Sequence, residues 1–342
     1  MTLILINYVL DSAHPILANQ SKVALDLCSY FDFVKVITFE RSFMFCAPSN
    51  MEVHAIGKPS NGRLKLILLF YKTIYSTFKE SIRSNSRIVV FSHMNDVLAF
   101  FASFVTCVMK IRHVFWYAHS HRSIFASMAS CFVSEIVSST FESCPYKNVR
   151  LIGQGIDSGD FRFVGTRPRN NLVHYGRLDL SKNVGEIVEV VDKYQYSHSL
   201  KLTLIGDLAR RKETQSFRIL EDKLKRSKEW LTWHSSVPRT SLNMELINQG
   251  TFIHAYRGSL DKTLIESVFL GLNVVTVNPS FIRIFGRWAS QNSPLSLDIE
   301  LNAFLSLADA QVEEVRSNRL QIASEMFEYS AWLARLVKEI YG

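Results

Sequence analysis

The sequence has few cysteines and lacks the patterns in which cysteine usually functions. Its five cysteines are an odd number, they are widely spaced, and no C-x-x-C pair occurs. Disulfide scaffolds and cysteine-based zinc sites are therefore disfavoured, and a reducing compartment is indicated. No uncharged run reaches the roughly 20 residues of a membrane-spanning helix, and the uncharged run Val97–Met109 is predicted to be a buried helix.

Other absences narrow the classes of function. No G-x-G-x-x-G follows a predicted strand, which disfavours a nicotinamide dehydrogenase. There is also no D-x-D triad, which disfavours a metal site. The opening residues MTLILINYVLDSAHP lack a basic leader, and Asp11 interrupts their apolar run. They are predicted to form a β-strand rather than a signal peptide. We therefore expect a cytoplasmic protein without a transmembrane segment.

The charge is basic and unevenly distributed. There are 39 Lys+Arg against 31 Asp+Glu, a net charge of +8, and residues 1–150 hold most of the excess. Such a charge favours an anionic partner, either nucleic acid, a membrane surface or a phosphorylated ligand, although scattered solvated lysines give the same total. No nucleic-acid recognition motif is visible, so nucleic acid is not expected as a partner.

Short apolar, β-branched runs alternate with longer amphipathic runs along the whole chain. In the first half, strands are predicted at Leu3–Tyr8, Phe33–Phe39, Glu52–Ile56, Arg87–Phe91, Val114–Tyr117, Phe132–Val137 and Arg150–Ile152. In the second half, they are predicted at Asn171–Tyr175, Lys201–Ile205, Trp230–His234, Thr251–His254 and Asn273–Val277. Alternating strands and helices indicate parallel sheets, so the expected class is α/β with two doubly wound domains. We expect these domains at residues 1–160 and 161–320, followed by a C-terminal helix at 321–342.

The clearest candidate site is the segment His174-Tyr-Gly-Arg-Leu-Asp-Leu-Ser-Lys182, where a predicted strand ends. Gly176 permits a tight turn, and Arg177 and Lys182 bring two cations to the start of the following helix. Two cations at a helix N-terminus are well suited to hold a diphosphate. The alternative is an ordinary turn that carries a surface arginine and lysine.

A second candidate is Tyr256–Glu266, where a Gly/Ser loop leads from a strand into a helix. The amides of Leu260–Thr263 are expected to face an anion or sugar hydroxyls, because the first N–H groups of a helix have no partner within it. Glu266 lies about one turn further along, and its two oxygens can accept two ribose hydroxyls. The alternative is that Asp261 only caps its helix and that Glu266 is a solvated carboxylate.

In their order and spacing these segments resemble those of retaining glycosyltransferases of the GT-B fold, most of all glycosyltransferase family 4. Arg177 and Lys182 match the G-R-x-x-x-x-K turn of that family. The segment Ile152-Gly-Gln-Gly-Ile-Asp157, followed by Phe161, resembles its N-G-I-D-x-x-x-F segment. The resemblance covers most of the chain, and it extends to the two nucleotide-domain stretches Leu202–Asp207 and Trp233–Pro238.

The resemblance implies two Rossmann-like domains facing across a cleft, with a C-terminal helix packing back on the first. It implies transfer of a hexose, with retention, from a nucleotide-sugar bound by the second domain to a glycan or lipid-linked acceptor bound by the first. Such enzymes serve polysaccharide or O-antigen biosynthesis, and the resemblance implies no metal ion or other cofactor. The catalytic residues that it implies are Arg177, Lys182 and His119. The donor-binding residues expected here are Gly176, Gly206, His234, Asp261, Lys262, Thr263 and Glu266.

The chain departs from the family pattern at one position. The family has two glutamates eight positions apart; Glu266 matches the second, and Gly258 stands in place of the first. Glycine cannot supply a carboxylate to the donor sugar, and the nearest acidic residue is Asp261. This departure leaves open a non-catalytic protein that binds a nucleotide-sugar or glycan. A second alternative is an enzyme of the same architecture with a different reaction, such as a nucleotide-sugar 2-epimerase.

The predicted first domain contributes further candidates at the ends of its strands. His119 matches the family position near the donor sugar, and His121 would lie on the same side of an extended strand. Such a pair can also bind a metal or be purely structural, but no third metal ligand is evident. The candidates for acceptor binding or for lining the cleft are His14, Gln20, His93, Asn95 and His121, of which Asn95 is also a candidate helix cap.

The segment 62–83 combines aromatic and apolar residues with an excess of positive charge. Its charged residues are Arg63, Lys65, Lys72, Lys79, Glu80 and Arg83. A basic, aromatic amphipathic helix of this kind can lie on an anionic membrane. Many enzymes of the resembling family act on lipid-linked acceptors at the inner face of the membrane, so the resemblance implies peripheral contact there. The alternative is a core helix whose lysines extend from its edges.

Overall fold

The computed structural model describes residues 1–14, 17–57, 62–83, 85–161, 167–178, 180–207, 222, 229–237 and 239–342. The chain divides into two compact units. Unit 1 consists of Met1–Gly153 and Trp332–Gly342, and unit 2 consists of Gln154–Ala331. The divisions therefore fall after residues 153 and 331, whereas the sequence led us to expect them after 160 and 320.

Unit 1 is built on a parallel sheet that contains all seven strands predicted for the first half. The strands are β1 (Thr2–Ile6), β2 (Val9–Leu10), β3 (Phe33–Thr38), β4 (Glu40–Arg41), β5 (Met51–Ala55), β6 (Ile88–His93), β7 (Arg112–Trp116), β8 (Glu135–Ser138) and β9 (Val149–Leu151). The helices before the first division are α1 (Ala18–Leu27), α2 (Arg63–Arg83), α3 (Asp96–Val108) and α4 (Ile124–Ala129). The sheet has the order β5-β3-β1-β6-β7-β8-β9, and the two-residue strands β2 and β4 pair separately.

The sequences of the strands explain why the sheet is buried. β1 reads TLILI and is buried at every residue, and such continuous apolar runs are typical of parallel strands covered on both faces. The strand predicted at Phe132–Val137 begins later, at Glu135, because Phe132 and Val133 belong to the turn that closes α4. Within the described part of the chain, no helix is long and apolar enough to cross a membrane.

Helix α2 packs into unit 1 with only one of its faces. Leu66, Phe70, Ile74 and Phe78 are buried in a core cluster that also contains Ile4. The opposite face is exposed although it is apolar, and its large side chains are Leu64, Leu68, Tyr75 and Ile82. The alternative of a core helix therefore holds for the buried face of α2, but it does not account for the exposed apolar side chains on the opposite face.

Unit 2 is built on a second parallel sheet, formed by the five strands predicted for the second half. These are β10 (Asn171–Tyr175), β11 (Lys201–Ile205), β12 (Leu231–His234), β13 (Thr251–His254) and β14 (Asn273–Thr276), in the order β12-β11-β10-β13-β14. The described helices are α5 (Val184–His198), α6 (Arg239–Glu245), α7 (Lys262–Phe269), α8 (Pro279–Phe285), α9 (Leu297–Ser306) and α10 (Asp309–Phe327).

The end of the chain belongs to both units. Helix α11 (Tyr329–Tyr341) is separated from α10 by Glu328, whose backbone is extended (φ −57°, ψ 131°) and forms a β-bridge with Ile156. From Trp332 onward α11 packs on unit 1. The indole of Trp332 lies edge-on to Trp116 with ring centroids 5.5 Å apart, and Tyr341 stacks on Phe31. The returning C-terminal helix was predicted, but the part that belongs to unit 1 begins at 332 rather than 321.

Candidate functional site

A pocket of about 170 Å³ opens at the carboxyl end of β10 in unit 2. Its walls are formed by His174, Tyr175, Gly176, Arg177, Lys182, Asp261 and Thr263. Ligands of open α/β sheets bind at the carboxyl ends of the strands. The pocket thus brings together residues from both predicted donor-binding segments, which are some 80 residues apart in the sequence.

The floor of this region depends on two glycines that approach each other closely. The Gly176 amide donates to the carbonyl oxygen of Ile205, with N and O 2.9 Å apart, and so ties the end of β10 to β11. Gly206 follows β11 with φ +154°, and a Cβ at this position would overlap the carbonyl oxygen of Gly176. Residue 206 is therefore glycine because no side chain fits there.

Lys182 is held in place before the helix starts. We expected it at the start of the helix, but it lies in a 3₁₀ turn (Leu180–Lys182), and Asn183 precedes α5 in the left-handed conformation (φ 51°). The ammonium forms an ion pair with Asp261 and lies 4.1 Å from the centre of the Tyr256 ring. The Lys182 side chain is only 12% exposed, whereas Arg177 is exposed.

Asp261 is the N-cap of α7, and its carboxylate also reaches into the pocket. It accepts from the Thr263 amide at 3.4 Å, from His254 Nε2 at 3.4 Å, and from Lys182. Burial raises the pKa of the Asp261 carboxyl, but the hydrogen bond from His254 and the charge and hydrogen bond of Lys182 outweigh burial and hold the pKa well below its usual range. The carboxylate is therefore ionised at neutral pH, and Asp261 does more than cap its helix.

The two histidines beneath the pocket contribute no charge at neutral pH. Burial, and then the neighbouring His254, lower the pKa of His174 to about 4, and burial also lowers the pKa of His254. His174 Nδ1 lies 2.9 Å from the carbonyl oxygen of Ile253, to which it donates. His254 Nδ1 lies 3.2 Å from the hydroxyl of Thr276. The charges that line the pocket are therefore those of Arg177, Lys182 and Asp261.

The Tyr256 ring covers position 258. A Cβ there would overlap the hydroxyl end of this ring, so a larger residue would require the Tyr256 side chain to move. The loop is fixed from below by Asn278, whose side-chain NH₂ donates to the carbonyl oxygens of Tyr256, Gly258 and Ser259 at 3.1–3.3 Å. Where the resembling family has a carboxylate, this chain therefore has a phenol whose ring also contacts the Lys182 ammonium.

The other donor-binding candidates have varied surroundings. Glu266 is 4% exposed within α7, so the alternative of a solvated carboxylate is wrong, while its role toward a ribose stays a prediction. Thr263 accepts from the Tyr175 hydroxyl through its carbonyl oxygen at 3.1 Å, and Lys262 is half-buried. His234 is exposed at the end of β12. Pro238, in the segment that resembles the nucleobase-binding stretch, lies outside the described residues.

In unit 1 the two candidate histidines lie side by side, but not on a strand. β7 ends at Trp116, and the rings of His119 and His121 are 5.4 Å apart in the loop that follows. Burial and then the charge of His121 lower the pKa of His119. Tyr117 braces the loop, since its hydroxyl donates to the carbonyl oxygen of His121 at 2.8 Å. No group of three or more potential metal-ligating side chains is present among the described residues.

The remaining candidates of unit 1 make contacts that support its fold. Gln20 lies in α1, and its Oε1 accepts from the amides of Tyr8 and Val9. Asn95 caps α3 by accepting from Leu98, the alternative left open for it. His14 Nδ1 accepts from the Leu17 amide. His93 is buried and stacks on Phe91. A role for these residues toward an acceptor stays a prediction.

Sequence reasoning missed three residues of the pocket region: His254, Tyr256 and Asn278. All three lie at the end of a strand or two residues after it, which is a usable signal. For Tyr256 that signal does not indicate what its side chain contacts. Its importance comes from the direction of its ring, which lies over Gly258 and against Lys182.

Comparison with solved structures identifies the fold, whereas comparison of the sequence finds no match. No family model matches the sequence, and neither does any curated protein. HepE from Anabaena, solved in complex with UDP, is 13% identical, with a TM-score of 0.72 over 100% of both chains. A glycosyltransferase from Rickettsia africae is 12% identical, with a TM-score of 0.72 over 99% of this chain and 98% of that chain.

A third structure is WaaG, a glycosyltransferase involved in lipopolysaccharide biosynthesis. It is 14% identical, with a TM-score of 0.64 over 99% of this chain and 100% of that chain. Identities this low show the fold alone. The fold is that of the GT-B glycosyltransferases, as the sequence motifs predicted.

Proposed function

We propose that this chain, which has the GT-B fold, is a glycosyltransferase of the family 4 type. It moves a hexose from a nucleotide-sugar donor to a glycan or lipid-linked acceptor, with retention and without a metal ion or other cofactor. The reaction serves polysaccharide or O-antigen biosynthesis at the cytoplasmic face of a membrane. Unit 2 takes the donor and unit 1 takes the acceptor.

One observation carries the proposal: two cations and a helix N-terminus meet in one pocket at a strand end. Arg177 and Lys182 carry full positive charges, and the first amides of α7 add partial positive charge. This combination favours phosphate oxygens. HepE, the Anabaena protein with the same fold, is known in complexes with UDP and with UDP-glucose, which supports a nucleotide-sugar as the donor.

The mechanism we propose needs no protein nucleophile. Negative charge develops on the phosphate oxygens as the bond to the sugar breaks, and Arg177 and Lys182 stabilise that charge from fixed positions. The acceptor oxygen forms its bond to the anomeric carbon on the face from which the diphosphate departs, and this gives retention. The leaving diphosphate takes the proton that the acceptor hydroxyl loses. Glu266 binds the ribose and His119 approaches the transferred sugar. Tyr256 covers the position of the missing carboxylate.

The direct test is incubation with a panel of UDP-, GDP- and ADP-sugars, with detection of the released nucleoside diphosphate. We expect release with at least one donor and faster release when a lipid-linked or glycan acceptor is added. Product analysis without acceptor would detect a 2-epimerase. A chain that releases no nucleoside diphosphate from any donor, with or without acceptor, would not be a glycosyltransferase.

A second candidate function is supported by a specific observation at the same pocket. Position 258 offers no carboxylate, and Lys182 is already paired with Asp261. Both features suit a protein that binds a nucleotide-sugar without turning it over. In the panel this protein would be stabilised thermally by a donor, since ligand at about 100 times its dissociation constant adds roughly 2.7 kcal/mol, but would release nothing.

We further propose that unit 1 contacts an anionic bilayer through α2, α3 and α4. These helices are neighbours: Tyr71 packs against Phe101 at 5.9 Å between ring centroids, and Phe104 against Phe132 at 6.2 Å. Each of the three helices exposes large apolar side chains, and these side chains are here called the apolar face of unit 1. It consists of Leu64, Leu68, Tyr75, Ile82, Phe104, Val108, Ile124 and Met128.

Charge favours a membrane as the partner of this apolar face. The same three helices and the residues that follow them carry exposed Lys65, Lys72, Lys79, Arg83 and Lys110. Large exposed apolar patches mark interaction sites, and a basic border adds about 1 kcal/mol per residue near anionic lipid. Contact with lipid would also bring a lipid-linked acceptor to the unit proposed to bind it.

The double variant Phe104→Ser/Ile124→Ser is expected to bind vesicles about ten-fold more weakly than the wild type. Each of the two substitutions removes an apolar side chain that would enter the apolar layer of the bilayer. Co-sedimentation with vesicles of phosphatidylcholine and phosphatidylglycerol measures this. Tyr196→Ser is the control, since Tyr196 is 84% exposed in unit 2 and outside the apolar face. The proposal would be contradicted if the double variant bound the mixed vesicles as well as the wild type does. It would also be contradicted if the wild type bound vesicles of pure phosphatidylcholine as well as it binds the mixed vesicles.

A further inference from the structure

The Asp261 carboxylate occupies the place that a bound anion would take. It caps the N-terminus of α7, where partial positive charge collects. It also contacts the Lys182 ammonium, and both side chains are largely buried, with 18% and 12% exposed. The features of the pocket that favour phosphate are Arg177, Lys182 and the N-terminus of α7. The Asp261 carboxylate already contacts Lys182 and caps α7, and so it uses two of these three features.

We propose that Asp261 is an internal competitor for the donor diphosphate. The diphosphate reaches the Lys182 ammonium only by displacing this carboxylate or by sharing the ammonium with it. Binding therefore exchanges one anion for another instead of filling an empty cationic site. The inference rests on the proposed function, since it takes the pocket to be the diphosphate site.

The surroundings of Asp261 allow this exchange. If Lys182 is taken by phosphate, the carboxylate keeps its bond from the Thr263 amide and its contact with His254 Nε2, both at 3.4 Å. Asp261 therefore does not need to leave its place as the cap of α7. Its charge stays beside the bound phosphates and weakens their binding. The consequence for the reaction is faster departure of the nucleoside diphosphate after transfer.

The Asp261→Asn variant tests this, because the asparagine amide oxygen can keep the cap on the Thr263 amide while the negative charge is removed. Its NH₂ group cannot accept from the Lys182 ammonium, so the ion pair is lost with the charge. The probe is inorganic pyrophosphate, which has the diphosphate without base or sugar, titrated calorimetrically into wild type and variant. We expect the variant to bind pyrophosphate about ten-fold more tightly or better. Its affinity should also fall more steeply with added salt, because the pocket gains one positive charge. A purely structural role would not produce this salt dependence.

The control is Asp298→Asn, which removes the same charge from an exposed ion pair with Lys193 elsewhere in unit 2. It should leave the affinity for pyrophosphate unchanged. If Asp261→Asn binds pyrophosphate equally or more weakly while both proteins bind it, Asp261 positions Lys182 and the competitor role is wrong. If neither protein binds pyrophosphate, UDP, GDP or ADP, the diphosphate site itself is wrong, and the inference fails with it.

Discussion

Loss of either Arg177 or Lys182 is expected to lower turnover about 100-fold or more, the effect of removing one preorganised group that stabilises charge in the transition state. They are the two cations that line the pocket at the end of β10. Arg177→Ala and Lys182→Ala would be compared with the wild type by initial rates of nucleoside diphosphate release, using the donor identified in the panel. The loss should appear in kcat, because charge on the leaving phosphate grows as the bond breaks.

The matched control is Lys193→Ala, which removes a cation from the same unit. Lys193 is exposed in α5, where its ammonium pairs with Asp298 at 2.8 Å, and its loss should leave turnover unchanged. The two test variants are expected to differ in stability. Arg177 is exposed and its removal should be tolerated, whereas Lys182→Ala leaves the largely buried Asp261 carboxylate without its ion-pair partner. If Arg177→Ala and Lys182→Ala both kept near-wild-type turnover, the proposed role of these two residues at the leaving diphosphate would be wrong.

A substitution at Gly206 is expected to have the largest effect on stability. In Gly206→Ala the new methyl group would overlap the Gly176 carbonyl oxygen, and the backbone with φ +154° is unfavourable for alanine. Backbone displacement and strain of this kind cost about 3 kcal/mol. The thermal midpoint should fall by roughly 6 °C or more, as measured by calorimetry.

Gly185→Ala is the comparison, because a Cβ there meets open space within α5. Alanine favours the helix by roughly 0.5–1 kcal/mol over glycine, so this variant should melt at or above the wild-type temperature. If both alanine variants melt together, the contact between the turns after β10 and β11 is not a stability determinant.

Most of the fold could be predicted because its signal is local. Runs such as Leu3–Tyr8 and Asn273–Val277 are apolar and β-branched, and each is followed by an amphipathic stretch, so strand positions and parallel pairing follow from the sequence. The ends of elements were less certain. Lys182 was expected to begin a helix, but the chain inserts a 3₁₀ turn before Val184.

The candidate site was predictable in its composition but not in its pairing. The spacing of the motifs identified Arg177, Lys182 and Asp261 as candidate site residues. Nothing in that spacing indicates that Lys182 and Asp261 form an ion pair with each other. That contact joins residues 79 positions apart, and it depends on the direction of side chains across neighbouring strands. The exposure of Phe104 could not be predicted for a similar reason. An apolar helix such as α3 gives a core pattern whether or not a partner covers its outer face.

The way the chain is divided between its units has a consequence for biosynthesis. Unit 2 is an insertion in unit 1, since residues 332–342 return to the sheet formed by residues 1–153. A ribosome that has made the first 153 residues has not yet made Trp332 and Tyr341, which cover Trp116 and Phe31. Unit 2 can complete its contacts first, although its sequence begins later. Until the last turn of α11 emerges, unit 1 keeps this aromatic surface uncovered, and uncovered apolar surface makes a folding intermediate prone to aggregate.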